Sequence, residues 1–256
     1  MTARIARVAS FLLLGVAALA LGACSSGHAA RKKNDASNYN MQLGMAYLNQ
    51  GDLGVAKEKL DRAVAENPGD PNVHSAMAML QDRLGHPEAA DKEFKAALNL
   101  GPRNPDVLNN YAVYLCRTGR TDEGVKSFEE AAHNALYRTP EAAYTNAGVC
   151  LRGAKRDTQA AMSFQRALQA KPNFAEAAYQ LADLDFQRGE VPEARETVDK
   201  FIASFEATPD LLLLGARISR KQGDRMAEER FARKLRLDFP GSDQARALAE
   251  LSRNPG

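Results

Sequence analysis

The chain has 256 residues, 34 Lys and Arg against 32 Asp and Glu, a formal net charge of +2, and 45% hydrophobic residues. That balance excludes a disordered chain and a membrane-embedded one, and it argues against a dedicated nucleic-acid binder, which carries a clustered basic excess. Aromatics are only 7%, Trp is absent, and Ala, Leu, Glu, Gln, Arg and Lys are abundant, so the composition favours helix throughout. Three cysteines are an odd number, and in an exported protein an unpaired thiol needs an explanation.

The first element in chain order is a targeting segment. Arg4 and Arg7 precede an apolar run from Phe11 to Leu21. A run of about 11 residues is too short for a membrane span of ~20 and suits a signal-peptide core. It ends in Leu21-Gly22-Ala23-Cys24, which resembles a bacterial lipobox. That resemblance implies removal of residues 1–23 and acylation of Cys24. An ordinary secretory signal that happens to contain a cysteine is the alternative. Ser25 stands where an aspartate would signal inner-membrane retention, so the resemblance implies an outer-membrane anchor with the folded part in the periplasm. Several acyl chains, at about 0.8 kcal/mol per buried CH₂, make such anchoring stable. Residues 24–36 are small and polar and read as a lipidated flexible tether. Its Arg31-Lys32-Lys33 cluster reads as a solvated linker.

The rest of the chain repeats itself. Gly51, Gly85 and Gly119 are spaced by 34 residues, as are Gly189 and Gly223, Pro68 and Pro102, Ala56 and Ala90, and Ala63 and Ala97. Period and residue types match the tetratricopeptide pattern. Six units are expected at about 37–70, 71–104, 105–140, 141–174, 175–208 and 209–241, with 242–256 as a capping helix and tail. The predicted fold is all-α, a right-handed superhelix of helix pairs. Small residues such as Gly44 and Ala56 let the two helices of a unit approach. Gly51 takes the turn between them at no Cβ cost, and Pro68 stops the second helix. The join of the third and fourth units carries two extra residues and lacks a helix-ending proline, which predicts a local irregularity.

No catalytic constellation stands out, and the repeats leave no room for a catalytic domain, so the chain is not expected to be an enzyme. His28, His74, His86 and His133 are dispersed and read as structural rather than as metal ligands. No cofactor is expected beyond the covalent lipid on Cys24, and neither a nucleic acid nor a small-molecule substrate. Cys116 and Cys150 fall late in the first helices of adjacent repeats, where they can face each other. A disulfide there would close a loop of about 35 residues, worth up to roughly 4 kcal/mol in the chain-entropy model. Two separate buried thiols acting as small apolar residues are the alternative.

The first helices of tetratricopeptide units line a groove through defined positions. In the first unit these include Met41, Met45 and Leu48, an apolar line at helical spacing that suits a hydrophobic peptide. Packing against the tether or at the array's end is the alternative. In the third and fourth units they include Asn109, Val113, Arg117, Thr145, Val149 and Arg152, a mixed polar set suited to an extended chain. Asn110 and Asn146 occupy a position where Asn serves the repeat itself.

Lipobox, six repeats, Asn109-Asn110-Tyr111-Ala112-Val113-Tyr114-Leu115-Cys116 and Asn146-Ala147-Gly148-Val149-Cys150 together resemble the type IV pilus biogenesis and stability lipoproteins, the PilF/PilW family. Ala112 and Tyr114 depart mildly from the usual Gly and Phe. The resemblance implies a pilotin, an outer-membrane adaptor that binds the secretin or another pilus-assembly protein and promotes its localisation or multimerisation. It also implies a Cys116–Cys150 bridge. A general periplasmic scaffold recruiting peptidoglycan or outer-membrane assembly proteins fits the fold and anchor equally well. Loss of residues 1–23 removes Arg4 and Arg7, so the mature chain would carry 32 basic and 32 acidic side chains (34 − 2 = 32) and no net charge.

Overall fold

A computed structural model describes Lys32 and residues 34–253. The expected signal segment, residues 1–23, and Cys24 lie outside them. Among the described residues there are thirteen helices and no strand. They pair as α1 (residues 34–50) with α2 (Leu53–Glu66), α3 (Pro71–Arg83) with α4 (Pro87–Leu100), and α5 (Pro105–Arg117) with α6 (Thr121–Ala132). Then come α7 (Pro140–Gly153) with α8 (Asp157–Ala170), α9 (Ala175–Gln187) with α10 (Val191–Ser204), α11 (Pro209–Gln222) with α12 (Arg225–Asp238), and finally α13 (Asp243–Arg253). Two details differ from the sequence reading. Residues 34–36, expected in the flexible tether, already belong to α1, and Pro140 opens α7 instead of closing the previous unit. Proline suits the first helical turn because its missing N–H is an orphan there in any case.

The turns show why glycine recurs. Gly51, Gly85, Gly119, Gly189 and Gly223 all have φ between 75° and 83°, the left-handed region. The fourth pair has no glycine at this point; Lys155 takes the same conformation at φ 60°. Within a pair, helices meet where a side chain is absent. A Cβ on Gly148 or Gly215 would come within 3.0 Å of the ring of Phe164 or Phe231. Gly215, not Ala216, packs on Phe231, which follows Val198 by 33 residues although the turn glycines Gly189 and Gly223 keep the spacing of 34.

The chain divides into two compact units between Val107 and Leu108. In the first, Leu48, Ala56, Leu60, Ala76, Met77 and Leu80 form the core, with Met41, Met45 and Tyr47 packed against it. Full burial of a residue such as Leu60 contributes about 2 kcal/mol. Polar groups tie the helices at the core's edge. Ser37 Oγ donates to Ala63 O at 2.8 Å, and Asn40 Nδ2 donates to Glu66 Oε2 at 2.9 Å. His74 is held between Glu93 at 2.7 Å and the Pro68 carbonyl at 2.9 Å, a structural role.

In the second unit the largest cluster runs from Ala178 to Leu248 and includes Phe201, Leu211, Leu212, Leu214, Ile218, Phe231 and Leu235. Leu248 of α13 is 3% exposed and closes this cluster at its C-terminal end. The irregular join is residues 133–139. His133 ends α6, and Asn134 turns the chain by accepting from Leu136 N at 2.9 Å. Salt bridges cross the join, Arg156 to Asp122 at 2.5 Å and Arg166 to Glu129 at 3.0 Å.

A candidate peptide-binding face on the first helices of the second unit

In the second unit, α5, α7, α9 and α11 are the first helices of successive pairs. Cys116 of α5 and Cys150 of α7 are joined by a disulfide, with Cα atoms 5.6 Å apart. Beside it Asn146 Nδ2 donates to Asn109 Oδ1 at 3.2 Å. Val113 and Val149 flank this pair and are 47% and 46% exposed. A hollow of about 480 Å³ opens here, lined by both valines, both cysteines, Arg117 and Asn146 among others. Arg117 lies 5.8 Å from the centre of the Tyr114 ring.

Further along, Arg152 of α7 reaches α9. Its guanidinium donates to Asp183 Oδ2 at 2.5 Å and Gln180 Oε1 at 3.0 Å, while Gln187 donates to the same Asp183 oxygen at 2.9 Å. Arg217 of α11 lies over the Phe186 ring at 5.8 Å. Burial first, then Asp183 and Asp210, push the Tyr179 phenol above its ordinary value of 10.0 against the pull of Arg217 and Arg152. The hydroxyl therefore stays protonated and remains a donor at neutral pH. Together these side chains present two exposed apolar knobs, a pair of amides and a braced arginine. Such a set suits an extended chain, with apolar contacts for its side chains and amide hydrogen bonds for its backbone. Among the described residues no three His, Cys, Asp or Glu side chains converge as metal ligands, and no helix is long and apolar enough to cross a membrane.

The sequence-predicted groove residues divide. Asn109, Val113, Arg117 and Arg152 lie on this face. Thr145 does not: it is 3% exposed, and its hydroxyl donates to Glu141 O at 2.8 Å within α7. Asn146, set aside as structural, stands there instead. In the first unit the expected apolar groove is core. Leu48 is 3% exposed and sits in the cluster with Leu60 and Leu80, and Met41 and Met45 are half-buried against it. This face of α1 packs on Ala56 and Leu60 of α2 and on Ala76, Met77 and Leu80 of α3. The reading of the third and fourth units missed Tyr179, Gln180, Asp183 and Phe186. Carrying the same position rule into the fifth unit finds Tyr179, Asp183 and Phe186, since they fall at its fifth, ninth and twelfth residues.

The tetratricopeptide-repeat family is matched at residues 37–70, 75–137, 117–175 and 151–218. The type IV pilus assembly protein PilF of Pseudomonas aeruginosa is 32% identical over 210 residues, 82% of this chain and 83% of PilF. The chain belongs to the PilF/PilW family of type IV pilus biogenesis proteins. Solved structures agree. That of Pseudomonas aeruginosa PilF is 29% identical, with a TM-score of 0.65 over 86% of this chain and 99% of PilF. That of PilW, a widely conserved type IV pilus biogenesis factor, is 27% identical, with a TM-score of 0.65 over 84% and 99%. This PilF/PilW-family chain is thus an all-α tetratricopeptide-repeat protein of type IV pilus biogenesis, built from a protein-interaction repeat.

Proposed function

We propose that this chain is a pilotin, an outer-membrane lipoprotein adaptor that binds the secretin through which the pilus emerges and promotes its localisation or multimerisation. Acylation of Cys24 supplies location, and the face on α5, α7 and α9 supplies recognition. The observation that carries recognition is the pair Val113 and Val149, close to half exposed beside an amide pair although the rest of the apolar side chains of α5 and α7 are largely buried. Such a face suits an extended partner segment. Confinement of both partners to one membrane raises their effective concentration, so modest affinity suffices.

The test uses two variants in cells assembling pili. Cys24→Ala removes the lipid, and Val113→Glu/Val149→Glu places two carboxylates on the exposed face without entering the core. Both are expected to lower heat-resistant secretin multimers and surface pili at least about tenfold, the range of one lost well-packed contact or more. Unchanged multimers in both would overturn the proposal. Met45→Glu is the poorer probe, because Met45 packs on the core and its loss would report on stability.

A further inference from the structure

We propose that the outer face of α12 is a docking surface for an anionic lipid bilayer. Met226 and Leu237 are 87% and 71% exposed, although both are large and apolar. They lie three turns apart on one line of the helix. Arg230 and Arg233 lie between them on that line, all four within about 60° of helix rotation. Ala227, Phe231 and Leu235, which fill the core, point away from it. An open hollow of about 600 Å³ follows this face, and its walls come from α12 alone.

The cations on this face exceed the acids available to them. Glu229 pairs with Arg236 at 2.7 Å, Asp238 with Lys234 at 2.7 Å and Glu228 with Arg220 at 2.6 Å. Arg230 stacks over Phe231 at 5.1 Å and comes no nearer than 3.6 Å to Asp199. Among the described residues no carboxylate pairs with Arg225 or Arg233.

A peptide partner would want a second wall, and this face has none. A bilayer needs only one line of contact. Its apolar interior takes the Met and Leu side chains, while the arginine stems follow that apolar surface and hold their heads at the phosphates. The inference rests on the lipid-anchored reading, because acylated Cys24 is what keeps the helix within reach of the membrane.

The test uses the acylated chain bearing a bimane fluorophore on the thiol of Met226→Cys. It is reconstituted into vesicles of phosphatidylethanolamine with a minority of phosphatidylglycerol and a doxyl-labelled quencher lipid. The same label on Gln165→Cys, an exposed position of α8, is the control. Quenching on α12 is expected to exceed the control at least about threefold, and to fall to the control level with Arg230→Glu/Arg233→Glu or without the anionic lipid. Equal quenching at the two positions, or quenching indifferent to charge reversal, overturns the proposal. So does a result in which charge reversal abolishes capture of an acidic protein and leaves quenching unchanged. Flotation of the chain with the vesicles reads the anchor separately. If the chain does not float, the anchor reading fails, and the same quenching ratio with added unacylated chain still decides the α12 face.

Discussion

At the residue scale, two side chains carry consequences that the repeat pattern does not announce. The position held by Ala56, Ala90, Ala160, Ala194 and Ala227 in five repeats is Gly124 in the third. A Cβ there would lie 2.5 Å from Cys116 Sγ and 3.0 Å from Ala112 O. The disulfide sulfur occupies the space that the methyl group fills elsewhere. Gly124→Ala is therefore expected to lower stability by about 1–3 kcal/mol, the cost of overpacking. In a Cys116→Ala background the same change becomes neutral or stabilising, since alanine gains about 1 kcal/mol of helix propensity over glycine. Urea titrations of the four species give the coupling directly. The second side chain is Asp185, 8% exposed in α9. Burial first, and then Glu190, push its carboxyl from an ordinary 3.8 up to about 6, against Arg188. The folded state therefore holds this proton to higher pH than the unfolded chain does. The group's contribution to stability is full below pH 3.8 and lost as pH rises through about 6. Asp185→Asn removes this dependence. Relative to the parent, the variant should gain up to about 3 kcal/mol between pH 4 and pH 7 in matched melts; a difference that does not grow with pH would contradict it.

At the scale of elements, the join between α6 and α7 is the place to press. It lacks the spacing of the other joins, and Lys155 takes the left-handed turn after α7. The disulfide ties α5 to α7 on one side, and Arg156–Asp122 and Arg166–Glu129 tie the second helices on the other. The exposed ion pairs contribute little individually, at most about 1 kcal/mol each. The covalent tie closes a loop of about 35 residues, so Cys116→Ala/Cys150→Ala is expected to cost about 3–4 kcal/mol. The urea midpoint should fall, and amide exchange in residues 133–139 should quicken more than in α9 or α10. The bridge was legible in the sequence, from two cysteines late in adjacent first helices and from the family resemblance. What the spacing could not reveal was Gly124, because its meaning depends on which atom lies across from it.

At the scale of the whole molecule, the chain must close its last hydrophobic face. Helix α13 does so with Leu248, which joins the cluster of Leu214, Ile218 and Leu235. Leu248→Ala should cost about 2–4 kcal/mol, as a buried leucine cavity does, read as a lowered urea midpoint. The sequence by itself determined the period, the helix content and the small residues at close approaches. Each of these is a local requirement of backbone geometry or of a short motif. Only the tertiary structure decided which residues face outward. Periodicity fixes the angle between two side chains on one helix, but the helix's rotation against its neighbours is set by packing. That rotation buries Leu48 and Thr145, brings Asn146 beside Asn109, and leaves Val113, Val149, Met226 and Leu237 in solvent.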